Sequence, residues 1–249
     1  MKNKMIRYLI VVFCVIAILF ALFKVLTPNK KLNTYLAIGD YLSVSGNLKG
    51  EKITSFTSLL GDYLESNKLV ENVNYSYSSS SIDSSMLLEM INKDAYLGEG
   101  DNLVSLIKDS KYITISVGVN DVLQYIRFDS NNNEIIYDKE FIKRKLEIMK
   151  QNYYEIVDEI QNINEETAVY LIGYYCPFIE VKDDENVNIV FNMLNESIKE
   201  VSELMNVNYV DISEANVEEN MVNKNQIYLN NEGHEWVFES IRKMYFTSN

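Results

Sequence analysis

The sequence predicts a three-layer α/β domain, a doubly wound five-stranded parallel sheet, preceded by one N-terminal transmembrane helix. Three observations support this prediction. Five short runs rich in β-branched and aromatic residues alternate with longer segments of helical periodicity. Polar or glycine-containing turns follow these runs. One long uncharged run, residues 8–23, precedes the first predicted strand.

The five predicted strands are separated by helical segments, as the crossover connections of a parallel sheet require. They are residues 35–38, 70–77, 112–117, 168–172 and 208–211. Ligands of such sheets bind beyond the carboxyl ends of the strands. We therefore look for functional residues directly after each strand.

Helical periodicity marks six segments, which are residues 53–64, 84–93, 101–108, 139–163, 185–205 and 233–246. The polar, asparagine-rich stretch 128–138 predicts a loop or a small hairpin. The helix over 139–163 is long and amphipathic. Its apolar face is expected to pack on the sheet, with a docking face for a partner protein as the alternative.

The N-terminal segment predicts a membrane anchor. The uncharged run covers about 24 Å at about 1.5 Å per residue, and Lys24 can snorkel, so the predicted span is 8–26. No small-x-small site follows, which favours an uncleaved signal anchor over the alternative of a cleaved signal peptide.

The basic residues Lys2, Lys4 and Arg7 precede the span, so the positive-inside rule places the tail 1–7 in the cytoplasm. Residues 27–33 then form a tether, and residues 34–249 form one extracytoplasmic domain at the cell membrane. The expected partner of the N-terminal helix is the bilayer itself.

Charge divides sharply along the chain. The first 31 residues hold six of the 23 Lys and Arg residues and no acidic residue, so the remaining chain has 17 basic and 36 acidic residues, a net charge of −19. Such a domain repels nucleic acid. Cys14 lies in the predicted span and Cys176 is the domain's single cysteine, so no disulfide or cysteine metal cluster is expected within the domain, and no cofactor is predicted.

Four motifs follow strands or precede the last helix. They are Ile38–Ser43 (IGDYLS), Asn74–Ser81 (NYSYSSSS), Gly118–Asp121 (GVND) and Asn225–His234 (NQIYLNNEGH). Together, and in this order, they resemble the SGNH (GDSL) hydrolases, a family of esterases and lipases. The resemblance covers most of residues 34–245 and implies a flavodoxin-like α/β fold.

The resemblance also implies roles for residues at these positions. The family's nucleophilic serine falls on Tyr41, and the glycine whose amide helps to bind the oxyanion falls at about Ser79. The oxyanion asparagine is present as Asn120, with Gly118 and Asp121 beside it. In the family, these amides stabilise the negative oxygen that forms when serine attacks an ester.

The last motif allows two registers. One uses the chain's single histidine, His234, as the base. The other follows the family's Asp-x-x-His-x-Asn-x-x-Gly pattern and matches it better, since the pattern's Asn and Gly fall on Asn230 and Gly233. In this second register the family's histidine and aspartate fall on Tyr228 and Asn225.

The triad positions then read Tyr41, Tyr228 and Asn225. A phenol has a pKa of about 10 and holds its oxygen far from the backbone, so it does not replace serine or imidazole near neutral pH. Asparagine for aspartate alone costs about 10⁴ in rate in a serine protease. The sequence therefore predicts a catalytically silent binding or scaffold module for an envelope glycan, lipid or protein.

The alternative is an active acyl hydrolase on envelope lipid or glycan esters, with Ser43 or another strand-end serine as a relocated nucleophile and His234 as base. Asp40 and Asp121 follow strand ends and raise the question of a cation. No third carboxylate accompanies them in the sequence, so no metal is predicted, and both are expected to hold loops by hydrogen bonds.

Overall fold

The computed structural model describes residues 32–48, 51–97, 100–129, 134–178, 185–215, 218–222 and 227–246. The predicted tail, span and most of the tether lie outside these residues. In the described part of the chain, no helix combines the length and the apolar character that a membrane crossing needs.

Nine strands are present in the described residues. They are β1 (Thr34–Gly39), β2 (Gly46–Leu48), β3 (Glu51–Ile53), β4 (Asn72–Ser78), β5 (Ser110–Ser116), β6 (Arg127–Asp129), β7 (Glu134–Ile136), β8 (Ala168–Ile172) and β9 (Asn208–Val210). Five of them form one parallel sheet in the order β4-β1-β5-β8-β9. This order confirms the predicted five-stranded parallel sheet and puts its topological switch point between β1 and β5.

Seven α-helices in the described ranges connect or flank these strands. They are α1 (Phe56–Ser66), α2 (Ser84–Asn92), α3 (Leu103–Asp109), α4 (Val119–Val122), α5 (Lys139–Ile163), α6 (Glu185–Met205) and α7 (Asn231–Ile241). A π-helical segment, Arg242–Phe246, continues α7. Predicted and observed bounds agree within about three residues for most elements.

The core lies between the sheet and its flanking helices. Central strand residues such as Leu36, Ile113 and Leu171 are fully buried, as strands covered on both faces require. The apolar face of α5, which includes Met149 and Ile156, is also buried. That face therefore packs inside the domain, as expected from its periodicity, and does not present an open docking surface.

The first helix differs from the prediction at its start. Ile53 does not begin the helix but ends the short hairpin β2–β3. The helix begins at Phe56 because Ser55 caps it, with the Ser55 hydroxyl accepting a hydrogen bond from the Ser58 amide. The predicted loop or hairpin over 128–138 contains the hairpin β6–β7.

Candidate functional site

Asp40 follows β1 and is completely buried at the carboxyl edge of the sheet. Its carboxylate accepts hydrogen bonds from the Leu42 amide (3.0 Å) and the Tyr174 hydroxyl (2.5 Å). Burial raises the pKa of Asp40 to about 7, against the opposing effect of the Tyr174 bond. Asp40 therefore holds the turn after β1 in place and is not free to orient a catalytic base.

Gly39 allows that turn to lie close to the neighbouring strand. A Cβ atom at Gly39 would come within 2.2 Å of the Ser116 hydroxyl and 2.4 Å of the Ser43 hydroxyl. These two serine hydroxyls share a hydrogen bond of 2.6 Å and are both buried. Ser43, the alternative nucleophile from the sequence, is thus engaged beneath the turn.

Tyr41 is at the position of the family's nucleophile, in the short 3₁₀ turn after Asp40. Its side chain is 4 % exposed, and its ring meets the ring of Tyr228 edge to face, with centroids 5.6 Å apart. The Tyr41 hydroxyl is buried, and no group in the described part of the chain makes a well-formed hydrogen bond with it. Burial raises the pKa of Tyr41 well above its usual value, so the phenolate does not form near neutral pH.

Two further tyrosines, Tyr174 and Tyr175, lie near Tyr41 and were not singled out from the sequence. Tyr174 donates to Asp40, and Tyr175 lies near the Tyr41 hydroxyl and donates to the carbonyl oxygen of Ile227. Both are fully buried. Both follow β8, where functional residues are expected, but nothing in their residue types predicts these two contacts.

Asn120 does not present a free amide to Tyr41. Its side-chain nitrogen donates to the carbonyl oxygens of Ser80 (3.0 Å) and Ile82 (2.8 Å), which uses both of its hydrogens. The backbone amide of Ser79 donates to the Gly39 carbonyl oxygen at 2.8 Å. Two of the three donors expected for an oxyanion hole are therefore engaged within the protein.

Gly118 and Asp121 support the loop that contains Asn120. Gly118 has φ of +132°, a conformation that favours glycine, and a Cβ atom there would lie 2.9 Å from the Met149 sulfur. The Asp121 carboxylate accepts from both the amide (3.0 Å) and the hydroxyl (2.6 Å) of Ser84 at the start of α2. Burial raises the pKa of Asp121. Its contacts are those of a loop-fixing residue.

The last motif opens helix α7. Asn230 caps the helix, accepting from the Gly233 amide at 2.9 Å. A Cβ atom at Gly233 would lie 2.4 Å from the Asn220 carbonyl oxygen, so the chain is tightly packed here. Tyr228 precedes the cap and contacts Tyr41, whereas Asn225 lies outside the described residues. The structure thus brings together the two tyrosines of the better-matching register.

His234 lies in the first turn of α7 and lines the same cleft as Tyr41 and Tyr228. Its Nδ1 atom accepts a hydrogen bond of 3.2 Å from the backbone amide of Phe56. An imidazole nitrogen that accepts from an amide carries no proton, so the proton of the neutral ring is on Nε2. Burial lowers the pKa of His234 to about 4, which keeps the ring neutral.

The cleft itself is small, about 100 Å³ in volume. Its walls are mostly aliphatic and aromatic, and its polar side chains other than the tyrosines are Ser45, Ser80 and His234. The Ser45 hydroxyl contacts both the amide and the hydroxyl of Ser55 at 2.9 Å, so it is engaged. Within the described ranges, no group of three histidine, cysteine or acidic residues is placed to hold a metal ion.

Comparison with known proteins decides the family. A family model of the GDSL-like lipase/acylhydrolase family matches residues 39–236 of the chain. The chain belongs to this family. No curated protein matches the sequence significantly.

Solved structures of esterases and lipases share the fold of this GDSL-like protein. The lipase Lip_vut3 from a goat rumen metagenome superposes with a TM-score of 0.66 at 19 % identity, over 86 % of this chain and 98 % of that one. An acetylxylan esterase from Geobacillus stearothermophilus gives a TM-score of 0.61 at 16 % identity, over 87 % and 96 % of the two chains. Variants of a serine, a histidine and an aspartate of that esterase are described as catalytic mutants.

The loops that form the site in this family are therefore present in this chain, but different side chains occupy the site. The turn after β1, the loop with Asn120 and the capped start of α7 meet at one edge of the sheet. In the sequence, tyrosine stands where the family's serine and histidine fall. The other predicted site residues, apart from Asn225, lie around this cleft or fix the loops that form it.

Proposed function

We propose that this chain is a membrane-anchored, extracytoplasmic GDSL-like protein of the cell envelope that binds or scaffolds without hydrolysing esters. The observation that carries the proposal is the contact between the buried Tyr41 and the half-buried Tyr228. An aromatic pair occupies the space in which a serine and a histidine would exchange a proton.

The chemistry of Tyr41 supports catalytic silence. A nucleophile must lose its proton to a neighbouring base as it attacks. Tyr41 has a raised pKa and adjoins Tyr174 and Tyr175, whose pKa values are also raised, so neither of these two neighbours accepts its proton near neutral pH. The engaged amides of Asn120 and Ser79 would also leave a developing oxyanion with little stabilisation.

A second candidate function is ester hydrolysis with a relocated serine, because Ser80 and Ser45 share the cleft with His234. The tautomer of His234 argues against it. A general base needs an unprotonated Nε2 and a protonated Nδ1 held by an acceptor, as in the serine protease triad. Here Nδ1 faces the Phe56 amide, a donor, so the ring has the opposite proton arrangement.

Hydrolysis assays separate the two candidates. The purified full-length chain, in detergent micelles, is offered 4-nitrophenyl acetate and butyrate, and separately a fluorophosphonate probe that labels activated serines. Silence predicts turnover no faster than that of a heat-unfolded sample and no serine adduct by mass spectrometry. Turnover abolished by Ser80→Ala or His234→Asn would establish the relocated-serine enzyme instead.

The anchor proposal rests on residues 8–26 and on the basic residues before them. It assigns the bilayer as the partner of the N-terminus and puts the acidic domain outside the cytoplasm. Protease treatment of intact cells tests it. Loss of the domain from the membrane fraction without cell lysis is expected, and a domain protected until lysis contradicts the orientation.

A further inference from the structure

His234 offers the cleft a fixed hydrogen-bond donor. Its Nδ1 atom is taken by the Phe56 amide, and no group among the described residues forms a hydrogen bond with Nε2. The ring lines the cleft while being only 3 % exposed. The polar atom that remains for a ligand is Nε2, which carries a proton in this tautomer.

The cleft also contains hydroxyl groups that are not engaged. The side-chain hydroxyls of Ser80 and Tyr228 have no hydrogen-bond partner in the part of the chain described here. A hydroxyl accepts as well as donates. The site thus combines one obligatory donor with groups able to accept an N–H.

The remaining lining is apolar, and no charged side chain of the described residues lines this cleft. Its aliphatic residues are Leu42, Val44, Ile53 and Leu229. A charged ligand would lose its hydration without gaining an ion pair. The volume of about 100 Å³ suits a small uncharged group.

From these features we propose that the cleft binds an acetamido group, the N-acetyl substituent of an amino sugar. The methyl group packs against the aliphatic side chains, the carbonyl oxygen accepts from His234 Nε2–H, and the N–H donates to the Ser80 or Tyr228 hydroxyl. This inference deepens the proposed binding function and rests on it, because the same cleft would otherwise hold a reacting ester.

Ligand-observed NMR tests the site directly. Full-length chain in micelles is titrated with N-acetylglucosamine, and saturation transfer to its methyl protons is measured. We expect transfer centred on the methyl group and weak, millimolar binding, as suits a contact of few atoms. Glucose and glucosamine, which lack the acetyl group, should show no transfer. Equal transfer to glucose, or no transfer to the N-acetyl methyl group, would overturn the proposal.

A matched set of variants assigns the contacts. His234→Asn keeps an acceptor for the Phe56 amide and removes the Nε2 donor, so affinity should fall about fivefold, the effect of one hydrogen bond. Ser80→Ala should weaken binding by two- to fivefold, whereas Ser81→Ala, at an exposed neighbour that does not line the cleft, should leave it unchanged. Unchanged affinity in His234→Asn contradicts the proposal.

A measurement on the wild-type protein does not depend on whether a variant folds. The chain has a single histidine, so selective ¹⁵N labelling gives two ring resonances only. Nε2 should show the protonated shift in the free protein and move on addition of N-acetylglucosamine, while Nδ1 stays constant. Movement of neither resonance at saturating sugar would exclude His234 as the donor.

An assay with an O-acetylated sugar distinguishes a failure of the acetamido proposal from a failure of the proposed catalytic silence. Release of acetate from glucose 6-acetate would disprove silence while leaving the N-acetyl titration valid. Absence of both acetate release and N-acetyl binding would leave silence standing and exclude the acetamido site.

Discussion

The rings of Tyr41 and Tyr228 meet edge to face, at a centroid distance of 5.6 Å and an interplanar angle of 86°. Edge-to-face pairs of this kind contribute about 0.5–1.5 kcal/mol beyond the burial of their surface. The pair is therefore a stabilising part of the domain.

Removal of the Tyr41 hydroxyl should not destabilise the protein. Because this oxygen is buried without a well-formed hydrogen bond, Tyr41→Phe removes a desolvated polar atom and loses no strong contact. We expect a free energy of unfolding equal to that of the wild type within about 0.5 kcal/mol, or higher. Urea denaturation followed by circular dichroism measures it.

Tyr174→Phe is the matched control, because its hydroxyl donates to the Asp40 carboxylate. Measured at pH 8, where Asp40 is ionised, this variant should lose about 1.5–3 kcal/mol, the usual contribution of a hydrogen bond to a charged group. Equal stability of the two variants would contradict the different environments of the two hydroxyls.

Tyr41→Ser should restore the family's residue without restoring hydrolysis. The substitution replaces a buried ring by a small side chain, which costs about 3–5 kcal/mol as in other aromatic deletions. The new serine would still face Tyr228 and find the Asn120 amide engaged. Turnover of 4-nitrophenyl acetate should remain at the wild-type background, and a gain of tenfold or more would show that the remaining site is competent.

Asn120 is expected to stabilise the fold and to have no effect on ester hydrolysis. Asn120→Ala leaves the carbonyl oxygens of Ser80 and Ile82 without their donor and is expected to cost about 1–3 kcal/mol. Gln124→Ala removes an exposed amide that donates to the Asn120 carbonyl oxygen, and should change stability by less than about 0.5 kcal/mol. Background ester hydrolysis should be the same in both variants.

Asp40 and His234 should give opposite dependences of stability on pH. Burial raises the pKa of Asp40 from 3.8 to about 7, so the native state holds a proton that the unfolded state releases, and the contribution of Asp40 falls as pH rises from about 4 to about 7. Burial lowers the pKa of His234 from 6.5 to about 4, so its contribution falls as pH decreases from about 6.5 to about 4.

These two trends oppose each other in the wild type between pH 4 and 6.5, and single variants separate them. The stability difference between wild type and Asp40→Asn should decrease with pH by up to about 1.4 kcal/mol per unit, and the difference between wild type and His234→Asn should increase with a similar slope. Denaturation curves at half-unit pH steps measure both. Slopes of the same sign would refute one of the two burial effects.

The sequence was sufficient for the sheet and for most helices, because buried parallel strands and amphipathic helices have distinct apolar periods. The hairpin β2–β3 was missed, since three-residue strands such as Glu51–Ile53 are too short to show alternation. Contacts distant in sequence were also out of reach. The bond from Tyr174 to Asp40 spans 134 residues, and that from the Phe56 amide to His234 spans 178.

Motif matching assigned Tyr41 to the turn after a strand but could not say what its hydroxyl would meet. Tyr41 and Tyr175 lie near each other only because β1 and β8 end at the same edge of the sheet. The proton arrangement of His234 likewise depends on the start of α1, where the Phe56 amide has no partner within its own helix. Residue type alone predicts neither contact.

The close packing of Tyr41 has a consequence for which residues this position tolerates. Because the Tyr41 ring is part of the core, serine at this position opens a void and lowers stability. Tyr228 and Asn225 also depart from the family's histidine and aspartate, and the Asn120 amide is engaged by Ser80 and Ile82. If the proposed catalytic silence holds, serine at position 41 alone therefore gives a less stable protein with no gain of ester hydrolysis.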